Sequence, residues 1–220
     1  MNSLFFAIIF FLPFIRNSPI LPTFQDVQFL NSSQGVIFRP TSDEKSFGYS
    51  VSTAGDINGD GIDDILIGNP TLQSNAGAVY VVYGRKNLSQ ISFEDGLDTS
   101  EGFAITGSTP GDYLGMSIGA LEDINGDGLD DFFIGCWGVN NGQGAIFIVY
   151  GRKTGFSNMT LKADGSFTQG FVILGQPGTS GSGLMPSLGG DVNGDGIKDF
   201  VINAPLSAIV YILYGPIKPA

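Results

Sequence analysis

Three short strings hold the residues best placed for chemistry. Asp56, Asn58, Asp60 and Asp64 stand at positions 1, 3, 5 and 9 of DINGDGIDD. Asp123, Asn125, Asp127 and Asp131 repeat the pattern in DINGDGLDD, and Asp191, Asn193, Asp195 and Asp199 in DVNGDGIKD. Side-chain oxygens on alternate positions of a tightly wound loop can face a common centre. Position 7, occupied by Ile62, Leu129 or Ile197, can add a main-chain carbonyl, and the glycine at position 6 permits the sharp turn. Hard oxygen ligands in this order surround Ca²⁺, and a cage made wholly of protein oxygens favours Ca²⁺ over the more strongly hydrated Mg²⁺. Without a cation, two carboxylates about 4 Å apart repel by about 1 kcal/mol even in water. One Ca²⁺ per loop, about three ions in all, would reverse that sign.

Two other structures could use such a string. An Asn-Gly or Asp-Gly hairpin turn needs the glycine, but not three aligned acids repeated three times. An EF-hand needs a bidentate Glu at position 12, where this chain has Ile67, Ile134 and Ile202, and the residues after each loop read as strand. The loops are therefore expected to be calcium sites between β-strands.

The elements that must hold these loops repeat with them. The loops start at Asp56, Asp123 and Asp191, a period of 67 and then 68 residues. FGYSV (47–51) returns as LGMSI (114–118) and, in degenerate form, SGLMP (182–186). GAVYVVYGRK (77–86) returns as GAIFIVYGRK (144–153) and SAIVYILYGP (207–216). GFAITG (102–107) matches GFVILG (170–175), and QGVIFRP (34–40) occupies the same place before the first copy. Each copy reads as short strands rich in Val, Ile, Phe and Tyr, bounded by Gly, Pro or Asn. The continuous apolar runs suit strands covered on both faces. Four antiparallel strands per copy, stacked face to face, describe the blades of a β-propeller. The expectation is an all-β fold of about three four-stranded blades, a partial or open propeller. The blade units span about 47–107, 114–175 and 182–216, after a leading strand at 34–40, for twelve strands in total.

Composition narrows the function. The net charge of −11 argues against nucleic acid and against anionic lipid. Nine of the 21 acidic residues are the loop acids, so the charge is placed rather than scattered. With no histidine, a Ser-His-Asp or Cys-His site cannot form within the chain. Paired acids could in principle cleave glycosides, but these acids are better explained as ligands, and no catalytic residue is assigned. Cys136 is the one cysteine, read as a small buried residue. The apolar run Leu4 to Phe14 is too short to span a bilayer and suits a signal peptide over residues 1–18, although no basic residue precedes it; the alternative is a buried hydrophobic strand or a membrane anchor. That reading places the protein outside the cell or at its surface, in agreement with glycosylation sequons at Asn31, Asn87 and Asn158.

Phe47-Gly48 with Gly68-Asn69-Pro70, together with the weaker pairs Leu114-Gly115 and Ser182-Gly183 with Gly135-Cys136-Trp137 and Asn203-Ala204-Pro205, resembles the FG-GAP repeats of the integrin α-subunit β-propeller. The likeness covers roughly residues 34 to 216. It implies a seven-bladed extracellular propeller used in cell adhesion, with calcium bracing hairpins on the lower face and ligands approaching the upper one. The chain departs from that pattern in carrying three copies, in Met185-Pro186, and in Lys198 where the other copies have Asp63 and Asp130.

If the calcium loops lie below, the upper loops are Asn69–Ala76, Thr109–Tyr113, Trp137–Gln143 and Gln176–Ser182. Trp137, with Tyr113 nearby by topology, is then a candidate anchor for a protein or extracellular-matrix ligand; the alternative is that Trp137 packs between blades. The sequons at Asn87 and Asn158 fall on the calcium side. A partner chain could complete the propeller. The other functions open to the sequence are a propeller accessory to a hydrolase, as in glycosylphosphatidylinositol-specific phospholipase D, and a purely structural assembly unit.

Overall fold

The computed structural model describes residues 8–9, 35–40, 44–88, 91, 93, 97–164, 166–176, 186–204 and 208–216. Apart from Ile8–Ile9, the signal-peptide reading of 1–18 lies outside them. So do the sequon at Asn31, Met185, Pro205 and most of the loop 176–182.

Where the sequence alternates least, the strands are most buried. In the first blade, β3 (Ser50–Gly55), β4 (Asp64–Asn69), β5 (Ala78–Val82) and β6 (Gly102–Gly107) form an antiparallel sheet in chain order. Every residue of β4 and β5 is buried, as a strand covered on both faces requires. The second blade repeats this with β7 (Leu114–Glu122), β8 (Asp131–Cys136), β9 (Ala145–Val149) and β11 (Gly170–Leu174). The third has three strands among the described residues, β12 (Ser187–Gly190), β13 (Asp199–Ala204) and β14 (Ile209–Leu213). The leading segment contributes β2 (Val36–Ile37), antiparallel to the two-residue β1 (Ile8–Ile9). β10 (Met159–Leu161), which the sequence pattern does not announce, pairs in parallel with β6 and makes the first sheet five-stranded. The described strands thus number fourteen rather than twelve.

Alternate side chains on each sheet face opposite neighbours, and this stacks the blades. Leu66, Val79, Val81, Phe103 and Ile105 of the first blade pack against Phe132, Ile134, Phe147 and Val149 of the second. On the second blade's far side, Phe133, Ile146 and Ile148 meet Phe200 and Ile202 of the third. The outer face of the first blade is covered by Phe38, Phe47, Ile91, Phe93 and Leu97. Phe47, Tyr80 and Phe93 meet there with centroids 5.1 to 5.6 Å apart, Phe93 edge to face with both others. The outer face of the third blade has no such cover among the described residues: Val210 and Tyr214 are more than half exposed. The sheets remain open, and among the described residues no strand pairing joins the third to the first. This is an all-β, propeller-type array of three blades.

Candidate metal centre

Each acidic loop is entered through a β-bulge. The register slips between Thr53 and Gly55, between Ala120 and Glu122, and between Leu188 and Gly190, one residue before the loop each time. The extra residue turns inward in two copies, where Ala54 and Leu121 are fully buried. The residue after it takes a positive φ: +75° at Gly55, +54° at Glu122 and +76° at Gly190.

Within the loops the three copies fold alike. The carboxylate of Asp56 accepts hydrogen bonds from the main-chain N–H of Gly59, Asp60 and Gly61 at 2.7 to 3.0 Å. Asn58 Oδ1 accepts from Asp60 N, and Asp60 Oδ1 from Ile62 N. Asp123, Asn125 and Asp127 make the same bonds, as do Asp191, Asn193 and Asp195. The first three acid-pattern positions thus wind the loop around themselves. Among the described residues, no three acidic side chains converge closely enough to hold a metal ion as they stand.

Position 9 differs in kind. Asp64, Asp131 and Asp199 are buried to within 1% of complete. Asp64 accepts from Ile57 N in its own loop and from Gly84 N at the end of the third strand. Asp131 accepts from Ile124 N and Gly151 N, and Asp199 from Val192 N and Gly215 N. One carboxylate therefore ties the loop to the Tyr-Gly end of the neighbouring strand. This accounts for the glycine of the recurring Tyr-Gly pair. A Cβ at Gly84, Gly151 or Gly215 would lie 2.2 to 2.4 Å from the carbonyl oxygen of Asp63, Asp130 or Lys198. Sequence reasoning found the pair only as a strand terminus. Its recurrence next to a buried acid was the signal available.

The electrostatics are one-sided. Burial pushes the carboxyls of Asp64 and Asp131 up to about 7, against the pull of their two main-chain N–H donors. The loop acids, Asp60 and Asp56 or Asp127 and Asp123, add to the rise. Among the described residues neither acid has a cationic partner; the ion pairs are Arg85–Glu101 and Lys198–Glu122. A buried carboxylate answered only by N–H donors, beside four more hard oxygens, fits a divalent cation. The candidates to hold one are those of the sequence pattern, Asp56, Asn58, Asp60, the Ile62 carbonyl and Asp64, with the matching sets from Asp123 to Asp131 and Asp191 to Asp199; their acids would have to draw together around the ion.

On the opposite side, the single turns α1 (Leu72–Asn75) and α2 (Val139–Gly142) contain left-handed residues, Gln73-Ser74 and Asn140-Asn141. Asn75 O accepts from Gly111 N and Tyr113 N, and Asp112 O from Gly138 N, so three upper loops form one surface. Tyr113 and Trp137 do meet there, with ring centroids 5.7 Å apart, and Trp137 is 38% exposed. Cys136 is buried beneath, its thiol pushed well up by desolvation.

The FG-GAP repeat family model matches residues 47–82. Integrin alpha-PS2 of Drosophila melanogaster is 33% identical over 187 residues, 81% of this chain and 12% of that protein. Integrin alpha ina-1 of Caenorhabditis elegans is 28% identical over 214 residues, 93% of this chain and 18% of that protein. Integrin alpha-5 of Xenopus laevis is 33% identical over 165 residues, 72% and 14%. The chain thus spans less than a fifth of the length of these relatives. The repeats, the open propeller and these similarities together identify an FG-GAP repeat protein resembling the β-propeller of integrin α subunits.

Proposed function

We infer that the chain is a calcium-braced, non-enzymatic recognition module that serves adhesion outside the cell. The observation that carries this reading is the buried carboxylate in each blade, Asp64, Asp131 and Asp199. It joins an acidic loop to the end of the neighbouring strand and has no cationic partner among the described residues. A bound Ca²⁺ would supply the missing positive charge and cross-link the loop, and the chain's own residues do the rest. Asp56, Asp123 and Asp191 hold the loop wound, and the position-9 acids anchor it to the sheet. Three rigid hairpins offer no moving element, so the ion acts as a brace.

The recognition surface is the upper one, with Tyr113 and Trp137 as aromatic anchors for a protein or matrix ligand. Hydrogen bonds among three loops pre-order that surface, which lowers the entropy cost of binding. Secretion and glycosylation at Asn87 and Asn158, both exposed and both on the calcium side, suit this arrangement. The uncovered face of the third blade suits a further blade-like surface, including one from a partner chain.

A thermal melt of the chain with Ca²⁺ and with a chelator tests the reading. A melting temperature that rises with Ca²⁺ concentration, as binding to the folded state alone demands, supports it. A melt indifferent to chelation overturns it.

A further inference from the structure

The string Tyr-Gly-Arg-Lys occurs at 83–86 and at 150–153. The glycine is accounted for by its approach to the neighbouring main chain, and among the described residues no calcium-loop carboxylate forms an ion pair with the arginine or the lysine. Both copies open on one cleft of about 570 Å³, between the first and second blades on the calcium side. Arg85, Arg152 and Lys153 line it. The chain carries ten Lys and Arg against 21 acids, so three cations in one cleft run against its overall charge.

Among the described residues, one of these cations is paired within the protein and two are not. Arg85 is answered by Glu101 at 3.2 Å. Arg152 and Lys153 have no carboxylate partner among the described residues. Among those residues Asp60 is the one acid lining the cleft, and its Oδ1 accepts from Ile62 N. Arg152 is held in place: its main-chain N–H donates to Ile57 O at 2.8 Å, and its guanidinium lies 4.5 Å over the Phe156 ring. Phe156 is itself stacked on Phe103, with centroids 4.6 Å apart and planes within 8°. Arg152 Nε is buried without an acceptor, a donor whose partner is missing. The rest of the lining mixes the Tyr83 ring and two glycines with the Asn58 amide and the hydroxyls of Thr99, Ser100 and Thr154, of which Ser100 donates to Asp98.

We propose that this cleft binds a sugar-sized ligand bearing a sulfate or phosphate ester. A guanidinium fixed on an aromatic stack presents a planar fork to an oxoanion, Lys153 adds a mobile point charge, and the hydroxyls suit a hydroxylated body. The volume falls within the ~300–1,000 Å³ of small-molecule sites and exceeds what a bare inorganic anion fills.

The test is calorimetric titration of the full chain, in Ca²⁺ at low salt, with glucose 6-sulfate, glucose 6-phosphate, inorganic sulfate and glucose. Saturable binding of one or both esters, tighter than inorganic sulfate and lost with glucose, is the expected result; which ester binds better identifies the source of the anion. Lys153→Gln, at an exposed position, should weaken binding about tenfold. Arg152→Lys should weaken it as well, since charge is kept and the fork lost. Lys86→Gln, exposed and outside the cleft, should leave it unchanged. No saturable heat with any anion, or equal losses in Lys86→Gln and Lys153→Gln, would overturn the proposal.

Discussion

Lys198 Nζ lies 3.6 Å from Glu122 Oε1, at the junction of the second and third blades. The equivalent junction of the first and second blades brings Asp130 against Gly55. There Asp130 Oδ2 accepts from Asp56 N at 2.8 Å, and a Cβ on residue 55 would come within 2.3 Å of the same oxygen. At the later junction both partners have changed, glycine to glutamate and aspartate to lysine. The substitution that looks like a defect in the third copy is half of a matched pair.

The two changes should be coupled. Lys198→Asp places a second carboxylate beside Glu122 and is expected to cost about 1 kcal/mol. Glu122→Gly removes a side chain from a backbone at φ +54°, so it should be neutral or slightly stabilising. The double variant, which recreates the first junction, should recover most of the loss. Urea denaturation of the four proteins gives the coupling; strict additivity would count against the pairing.

Calcium stoichiometry is expected to follow the buried acids one by one. Asp131→Asn keeps the shape and an acceptor oxygen but gives up the charge. Calorimetry with Ca²⁺ should then show one site fewer than the parent chain, with the other sites retained. Asp130→Asn, which alters the inter-blade bond and none of the nine aligned acids, should leave the count unchanged.

Stability should respond to pH in opposite senses with and without the ion. Asp64 and Asp131 titrate at about 7 in the folded chain and near 3.8 when unfolded. Their contribution to the metal-free fold is therefore complete below pH 3.8 and lost as pH rises through 7. Ca²⁺ binds the deprotonated acids, so its stabilisation grows over that same interval. Melting temperatures from pH 5 to 8 should diverge between chelator and Ca²⁺, and Asp64→Asn with Asp131→Asn should reduce the divergence.

Two glycines separate steric cost from conformational cost. Gly151→Ala forces a Cβ to 2.4 Å from Asp130 O and should cost about 1–3 kcal/mol. Gly155→Ala meets nothing within 4 Å but sits at φ +85°, so about 1 kcal/mol is expected from the backbone alone. Equal losses in chemical denaturation would show that the Tyr-Gly pair is not set by contact.

The third blade's outer face should promote association. Val210 is 64% exposed and Ile212 45%. Sedimentation of the parent chain should show mass rising with concentration, and Val210→Ser with Ile212→Ser should bring it toward the monomer. A monomer at all concentrations would leave that face without a partner of its own kind.

The middle strands were legible because burial on both faces leaves a continuous apolar run, as in Ile65–Ile67 and Phe132–Ile134. The common winding of the three loops was legible through the spacing of their acids, and the meeting of Tyr113 with Trp137 through antiparallel topology alone. What stayed hidden depends on partners far along the chain. Met159–Leu161 is a strand only because β6 lies beside it, and nothing in Met-Thr-Leu carries a period. Glu122 and Lys198 are 76 positions apart and look unrelated until the blades are stacked. The left-handed turns at Gln73-Ser74 and Asn140-Asn141 are flanked by Asn75 and Gly138, which hydrogen-bond to the 109–113 loop, and no glycine stands at those four positions to announce them.

β10 belongs to the second copy by sequence and to the first sheet by hydrogen bonding. An excision between 107 and 114 would separate β6 from the strand that covers its edge and leave an unpaired row of amides. The unit that duplicates in the sequence is therefore not the unit that could be transplanted into another protein intact. During synthesis, the first sheet must also wait for more than fifty further residues, from 107 to 161, before its edge is closed.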